Sequence, residues 1–217
     1  MGAPRATLAG ALRLIVITDR TLAAPRPLLD VVAAALAAGA PAIQLRDKDA
    51  NGAELLAAAR ELRRLTHSFG ALLLVNDRLD VALAAEADGV HLGPDDLPVA
   101  AVRQRVPRSF LVGFSTDDPA AARRAVADGA DYLGCGAVFA TGSKADAGEV
   151  IGLARLDLVA RAVAVPVVAI GGINPARAAE VAGTAAAGVA VISAVMKAQD
   201  PGAAVAQLLT PFRDSGH

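Results

Sequence analysis

Short apolar runs recur along the chain, separated by longer alanine-rich stretches whose charged residues fall at helical spacing. Read as strands, the runs cover residues 12–18, 42–46, 72–76, 89–92, 110–115, 132–138, 167–171 and 189–193. Most are continuously apolar, the pattern of parallel strands covered on both faces. The stretches between them predict helices, clearest over 28–38, 52–69 and 120–128. Gly39, Gly70 and Gly129 follow helical runs and suit the left-handed position past a helix end. Pro98 and Pro119 sit near helix starts, and Asn174-Pro175 reads as a cap followed by a first-turn proline.

Eight such strand–helix units in 217 residues describe a single (β/α)8 TIM barrel spanning residues 1–217. A doubly wound open sheet shares the alternation and is the other fold the pattern allows. It normally carries a G-x-G-x-x-G turn after the first strand, whereas here that strand ends Thr18-Asp19-Arg20.

Composition narrows the function classes. Lys plus Arg number 21 against 22 Asp plus Glu, a formal charge of −1, so there is no basic footprint for nucleic acid. Aromatics are 3% with no Trp, which removes stacking platforms for bases or sugars. A single cysteine, Cys135, excludes an internal disulfide and reads as a small core residue. No long apolar stretch precedes Arg13, and Ala6 breaks the myristoylation pattern. The longest uncharged run, residues 181–196, is interrupted by Gly183 and Gly188 and is shorter than the roughly 20 residues a bilayer needs. The expectation is a soluble cytoplasmic protein with no membrane partner.

In a barrel of this kind, chemistry gathers where strands end at the C-terminal face. The second strand reads Ile43-Gln44-Leu45-Arg46-Asp47-Lys48, and alternation places Gln44, Arg46 and Lys48 on one side. A cation there means either a structural ion pair or an anion site. The third strand ends Asn76-Asp77-Arg78, and the fourth continues through Gly93-Pro94-Asp95-Asp96. Carboxylates at neighbouring strand ends either cap helices or share a hard cation such as Mg2+. After the sixth strand, Phe139-Ala-Thr141-Gly142-Ser143-Lys144 opens a long polar loop, either a lid or a plain solvated connection. Gly171-Gly172 ends the seventh strand and Ser193 the eighth, a place where such barrels often hold phosphate. His91 lies inside the fourth strand, where a satisfied core histidine is the ordinary reading. Together these positions form two anion sites, one over strands two to four and one over strands seven and eight. They would suit a Mg2+-bound diphosphate ester beside a second phosphorylated substrate. Arg46, Lys48, Lys144 and the metal would offset two aspartates and a diphosphate of about −3.

The chain resembles the thiamine phosphate synthase family along nearly its whole length. The matching segments are Gln44-Leu-Arg46-Asp-Lys48, Asn76-Asp77-Arg78, Val90-His-Leu-Gly93 with Asp96-Leu97, and Gly113-Phe-Ser115. They continue with Gly129-Ala-Asp-Tyr-Leu-Gly134, Thr141-Gly-Ser-Lys144, Ala169-Ile-Gly-Gly-Ile173 and Val191-Ile-Ser193-Ala194. The resemblance implies an alkyl transferase that joins a pyrimidine diphosphate to a thiazole phosphate by dissociative loss of pyrophosphate. It implies that Gln44, Leu45, Arg46, Asp47, Lys48, Asn76, Ser115 and Lys144 hold the pyrimidine diphosphate, with Arg46, Lys48, Ser115 and Lys144 catalytic. It further implies that Asp77 and Asp96 ligate Mg2+, and that Thr141, Ser143, Gly172, Ile192 and Ser193 hold the thiazole phosphate. Departures from the family pattern fall at Pro94, Asp117, Ala137, Ala140 and Ser143. Two rival readings are a thiazole tautomerase, which needs no Mg2+–diphosphate site, and a non-catalytic regulatory barrel. A homo-oligomer is left open.

Overall fold

The computed structural model describes residues 5–142 and 149–212. Its eight strands are β1 (Leu14–Ile17), β2 (Ala42–Leu45), β3 (Leu72–Asn76), β4 (Gly89–Leu92), β5 (Leu111–Ser115), β6 (Tyr132–Cys135), β7 (Val167–Ile170) and β8 (Gly188–Val191). All pair in parallel and in chain order, and β8 returns to β1, with Ile15 opposite Ala42 on one side and Ala190 on the other. That last pairing closes the sheet into a barrel and excludes the open doubly wound alternative.

The strands are shorter than the apolar runs at their ends. Leu12 is taken up by the turn after α1 (Arg5–Ala11), its N–H donating to Leu8 at 3.0 Å. Residues 138 and 139 lie beyond β6, yet their N–H groups still donate to Ile170 and Gly171 at 2.9 and 3.1 Å. Most strand residues are buried, which is why these segments lack polar alternation.

The outer layer comprises α2 (Arg20–Ala23), α3 (Leu28–Ala37), α4 (Gly52–Ser68), α5 (Leu79–Ala84), α6 (Val99–Arg103), α7 (Pro119–Ala127), α8 (Gly152–Ala162), α9 (Pro175–Ala182), α10 (Ser193–Met196) and α11 (Pro201–Leu209). In α4 the buried positions Leu55, Ala59, Leu62 and Thr66 fall on one stripe. Its start is a reciprocal cap: Asn51 Oδ1 accepts from Ala53 and Glu54 at 3.0 Å each, and Glu54 returns a carboxylate to the Asn51 N–H at 3.1 Å. Gly70, at φ +66, lets the chain turn out of this helix without a Cβ clash. Asn174 caps α9 through the Arg177 N–H at 2.9 Å, with Pro175 at the first helical position. Among the described residues, no helix is long and apolar enough to cross a membrane.

Candidate active site

At the C-terminal ends of the strands opens a cavity of about 400 Å³. In a closed ring of eight, β3 and β7 lie four strands apart and face one another across it. One wall carries Arg46, Lys48, Asn76, Asp77 and Asp96, and the other Gly171, Gly172, Ile192 and Ser193. Ser115 and Thr141 line the ground between them.

Strand alternation brings Arg46 and Lys48 to the mouth, because β2 ends with its odd positions turned to the helices. The same alternation corrects part of the expected site. Leu45 is 1% exposed and lines a separate groove with residues of α3 and α4. Asp47 is turned there as well: it pairs with Arg20 at 3.1 Å and accepts from the Asp49 and Ala50 N–H groups at 3.2 Å. Neither side chain lines the cavity. Gln44 shares the inward side with Arg46 but is buried one layer below, outside the cavity wall. Ser143 and Lys144 lie outside the described residues.

Asp77 sits just past β3 with φ +63, a left-handed conformation that Asp tolerates better than most residues. Its N–H donates to His91 at 2.8 Å, and the Arg78 N–H donates back to Asn76 at 2.7 Å, so the chain reverses sharply at this residue. Asp96 turns back on its own loop, accepting from the Gly93 N–H at 2.7 Å. It therefore caps no helix; the cap position of α6 is Pro98, without a side-chain bond. The two carboxylates are within hydrogen-bonding reach. Burial, then the bond to Asp96 and its charge, push Asp77 up to about 6, while Lys48 and Arg46 act the other way. Two crowded carboxylates at the edge of a cationic wall fit a hard divalent ion that takes its other ligands from water and phosphate. Among the described residues no group of three or more His, Cys, Asp or Glu gathers as an all-protein metal cage.

Opposite, Gly171 and Gly172 have φ of +99 and +64. A Cβ on Gly172 would stand 2.5 Å from the Ala140 carbonyl oxygen and 2.9 Å from the Phe139 Cβ, so only glycine fits between these segments.

Among the cavity residues to which the sequence assigned no part in binding are Asp117, an exposed carboxylate, and His91. His91 is satisfied, as a core histidine should be, but its partners matter. Its Nδ1 is 2.9 Å from the Tyr132 hydroxyl and its Nε2 is 2.8 Å from Ser115 Oγ. Tyr132 is fully buried, and that burial pushes its phenol above the ordinary range, so it keeps its proton. A Tyr132 hydroxyl donating to Nδ1 puts the ring proton on Nε2, where it donates to Ser115 and leaves the serine O–H free to donate onward. Room for the ring comes from two glycines: a Cβ on Gly113 would stand 2.5 Å from His91 Nδ1, and one on Gly134 3.1 Å from its Cε1. That pattern of inward glycines on β5 and β6 was the available signal. Cys135 is buried and its thiol is pushed up to about 12, chiefly by that burial.

A family model described as thiamine monophosphate synthase matches residues 14–195. The thiamine-phosphate synthase of Methanoculleus marisnigri is 53% identical over 195 residues, covering 90% of this chain and 92% of its own. That of Moorella thermoacetica is 50% identical over 194 residues, covering 89% and 92%. A solved thiamine phosphate pyrophosphorylase from Pyrococcus furiosus superposes with a TM-score of 0.87 at 45% identity, over 94% of this chain and 97% of that one. With that breadth of match, the chain belongs to the thiamine monophosphate synthase family.

Proposed function

We propose that this protein joins a pyrimidine methyl diphosphate to a thiazole phosphate, releasing pyrophosphate and thiamine phosphate. The observation that carries this reading is a single cavity with a cation-and-carboxylate wall facing a glycine-lined wall. A diphosphate and a monophosphate can thus be held at once, with their reacting carbon and nitrogen between them.

Arg46 and Lys48 bind the diphosphate by charge, and Asn76 and Ser115 orient the pyrimidine end. Asp77 and Asp96 are the residues that would hold Mg2+, which when bound would supply positive charge to the departing diphosphate oxygens. The carbon–oxygen bond breaks with its electron pair leaving on pyrophosphate. The aminopyrimidine stabilises the resulting methylene cation. The thiazole nitrogen then donates its lone pair to form the new carbon–nitrogen bond. Thr141, Gly172, Ile192 and Ser193 hold the thiazole phosphate so that this nitrogen faces the cation, gaining from proximity instead of proton transfer. Ser143 and Lys144 are assigned by resemblance to the thiazole phosphate and the diphosphate. Leu45 and Asp47 are left out of the binding set.

The test is incubation of the protein with both substrates and Mg2+, following thiamine phosphate and pyrophosphate together. Equimolar appearance of both is expected, and it should vanish on chelation. Failure to form thiamine phosphate overturns the reading.

A further inference from the structure

Arg177 stands in the first turn of α9, outside the cavity wall, and its side chain folds back over the turn that leads from β7. Its Nη1 donates to the Gly172 carbonyl at 2.6 Å. Its guanidinium carbon lies 4.7 Å from the centroid of the Phe139 ring, a cation–π contact. The Arg177 backbone is itself fixed, since its N–H donates to Asn174 at 2.9 Å.

We propose that Arg177 is a positioning residue for the thiazole phosphate cradle: it clamps the segment after β6 onto the Gly171–Gly172 turn and sets the direction of the Gly172–Ile173 peptide. This rests on the functional reading above and extends it to a residue that touches no substrate. Three observations combine. First, the two segments already touch, through the Phe139 N–H donated to Gly171 and through the absent Cβ of Gly172. A shift of Phe139 is therefore passed to Gly172 directly. Second, the post-β6 segment carries Ala137 and Ala140, residues that do not fix their own φ, so its position depends on outside contacts. Third, carbonyl and N–H point opposite ways across a trans peptide. Holding the Gly172 carbonyl on Arg177 therefore turns the Ile173 N–H away from α9. Among the described residues, the N–H groups of Gly172 and Ile173 meet no acceptor, and both residues line the cavity. They are donors held in reserve for an anion.

The experiment is steady-state kinetics with each substrate varied at saturating levels of the other, on wild type, R177A, R177K and F139A. R177A is expected to raise KM for the thiazole phosphate about tenfold, the scale of one charge-assisted hydrogen bond. KM for the pyrimidine diphosphate should stay within about twofold, the scatter of a substitution remote from that wall. R177K should recover part of the loss, since an ammonium can still donate to the carbonyl. F139A should mimic R177A, and the double variant should be no worse than R177A alone, because the two side chains form one clamp. Should R177A fail to fold, R177K and F139A carry the same comparison. Equal rises in both KM values, a change in kcat alone, or no change at all in an active protein overturn the clamp and leave the functional reading standing. A wild type that makes no thiamine phosphate overturns both.

Discussion

Asp88 and Asp131 stand just before β4 and β6, at the N-terminal end of the barrel, whereas Asp77 and Asp96 stand at the C-terminal end. The two lower carboxylates are treated alike. Asp88 accepts from the Leu73 N–H at 2.8 Å and pairs with Arg63 of α4 at 2.8 Å. Asp131 accepts from the Val112 N–H at 2.8 Å and pairs with Arg103 of α6, which also donates to the carbonyls of Gly129 and Phe110 at 3.0 Å. Each ties a strand start, the preceding strand and a covering helix into one knot. At the upper end, Asp77 and Asp96 are set against each other, one on a left-handed backbone. Charge at the lower end holds the ring together; at the upper end carboxylates and cations gather instead around the cavity.

The sharpest way to break this contrast is Asp77→Asn, which removes the charge and keeps a residue that accepts positive φ. Synthesis should fall by at least about a thousandfold, as expected for several kcal/mol of lost charge stabilisation. The melting temperature should not fall. Loss of thermal stability with activity retained would place Asp77 with the structural carboxylates.

The reverse holds at the other end. Asp131→Ala should cost about 2 kcal/mol, the value of hydrogen bonds to a charged group, and lower the melting temperature by about 4–8 °C. Both KM values should be unaffected. Asp88→Ala should cost less, because the Arg63 side chain is 27% exposed against 8% for Arg103. Calorimetry on the two variants separates them.

Protonation sharpens the same difference. Asp77 is pushed up to about 6 from an ordinary 3.8, chiefly by burial. In the metal-free protein its contribution to folding is therefore fully present below about pH 4 and is lost as the pH rises through about 6. Magnesium affinity should run the other way, falling up to about tenfold per pH unit below that value as the proton competes. Asp96→Asn removes a neighbouring charge and should bring Asp77 back toward the ordinary range. A carboxyl titration followed by NMR that finds Asp77 unmoved by this change would remove the coupling from the account.

The smallest effect belongs to His91, whose imidazole sits between both roles. His91→Asn should reduce kcat by about tenfold or less, the worth of one hydrogen bond to Ser115. A stability loss as large as that of Asp131→Ala, with kcat intact, would assign the histidine to packing.

What could be read from the sequence follows the range of each signal. Strand and helix order was legible because burial on two faces leaves continuous apolar runs, and because Asn174 and the glycines past the helices act locally. Arg46 and Lys48 were legible from alternation alone. Asp96 was not separable from a cap residue, since only the turn at Gly93 decides which way its carboxylate points. Asp47 sits between two cavity cations, yet Arg20, the first residue of α2, draws it away. His91 was the hardest: its role depends on glycines at 113 and 134, on two other strands, and no local pattern joins them.

Closure of the ring has one more consequence. With no free edge, the wall built on β3 cannot drift from the wall built on β7 without tearing hydrogen bonds between every pair in between. The gap therefore works as a fixed gauge: two phosphate-bearing molecules whose reacting ends cannot meet midway between the walls are refused by length before any side chain inspects them.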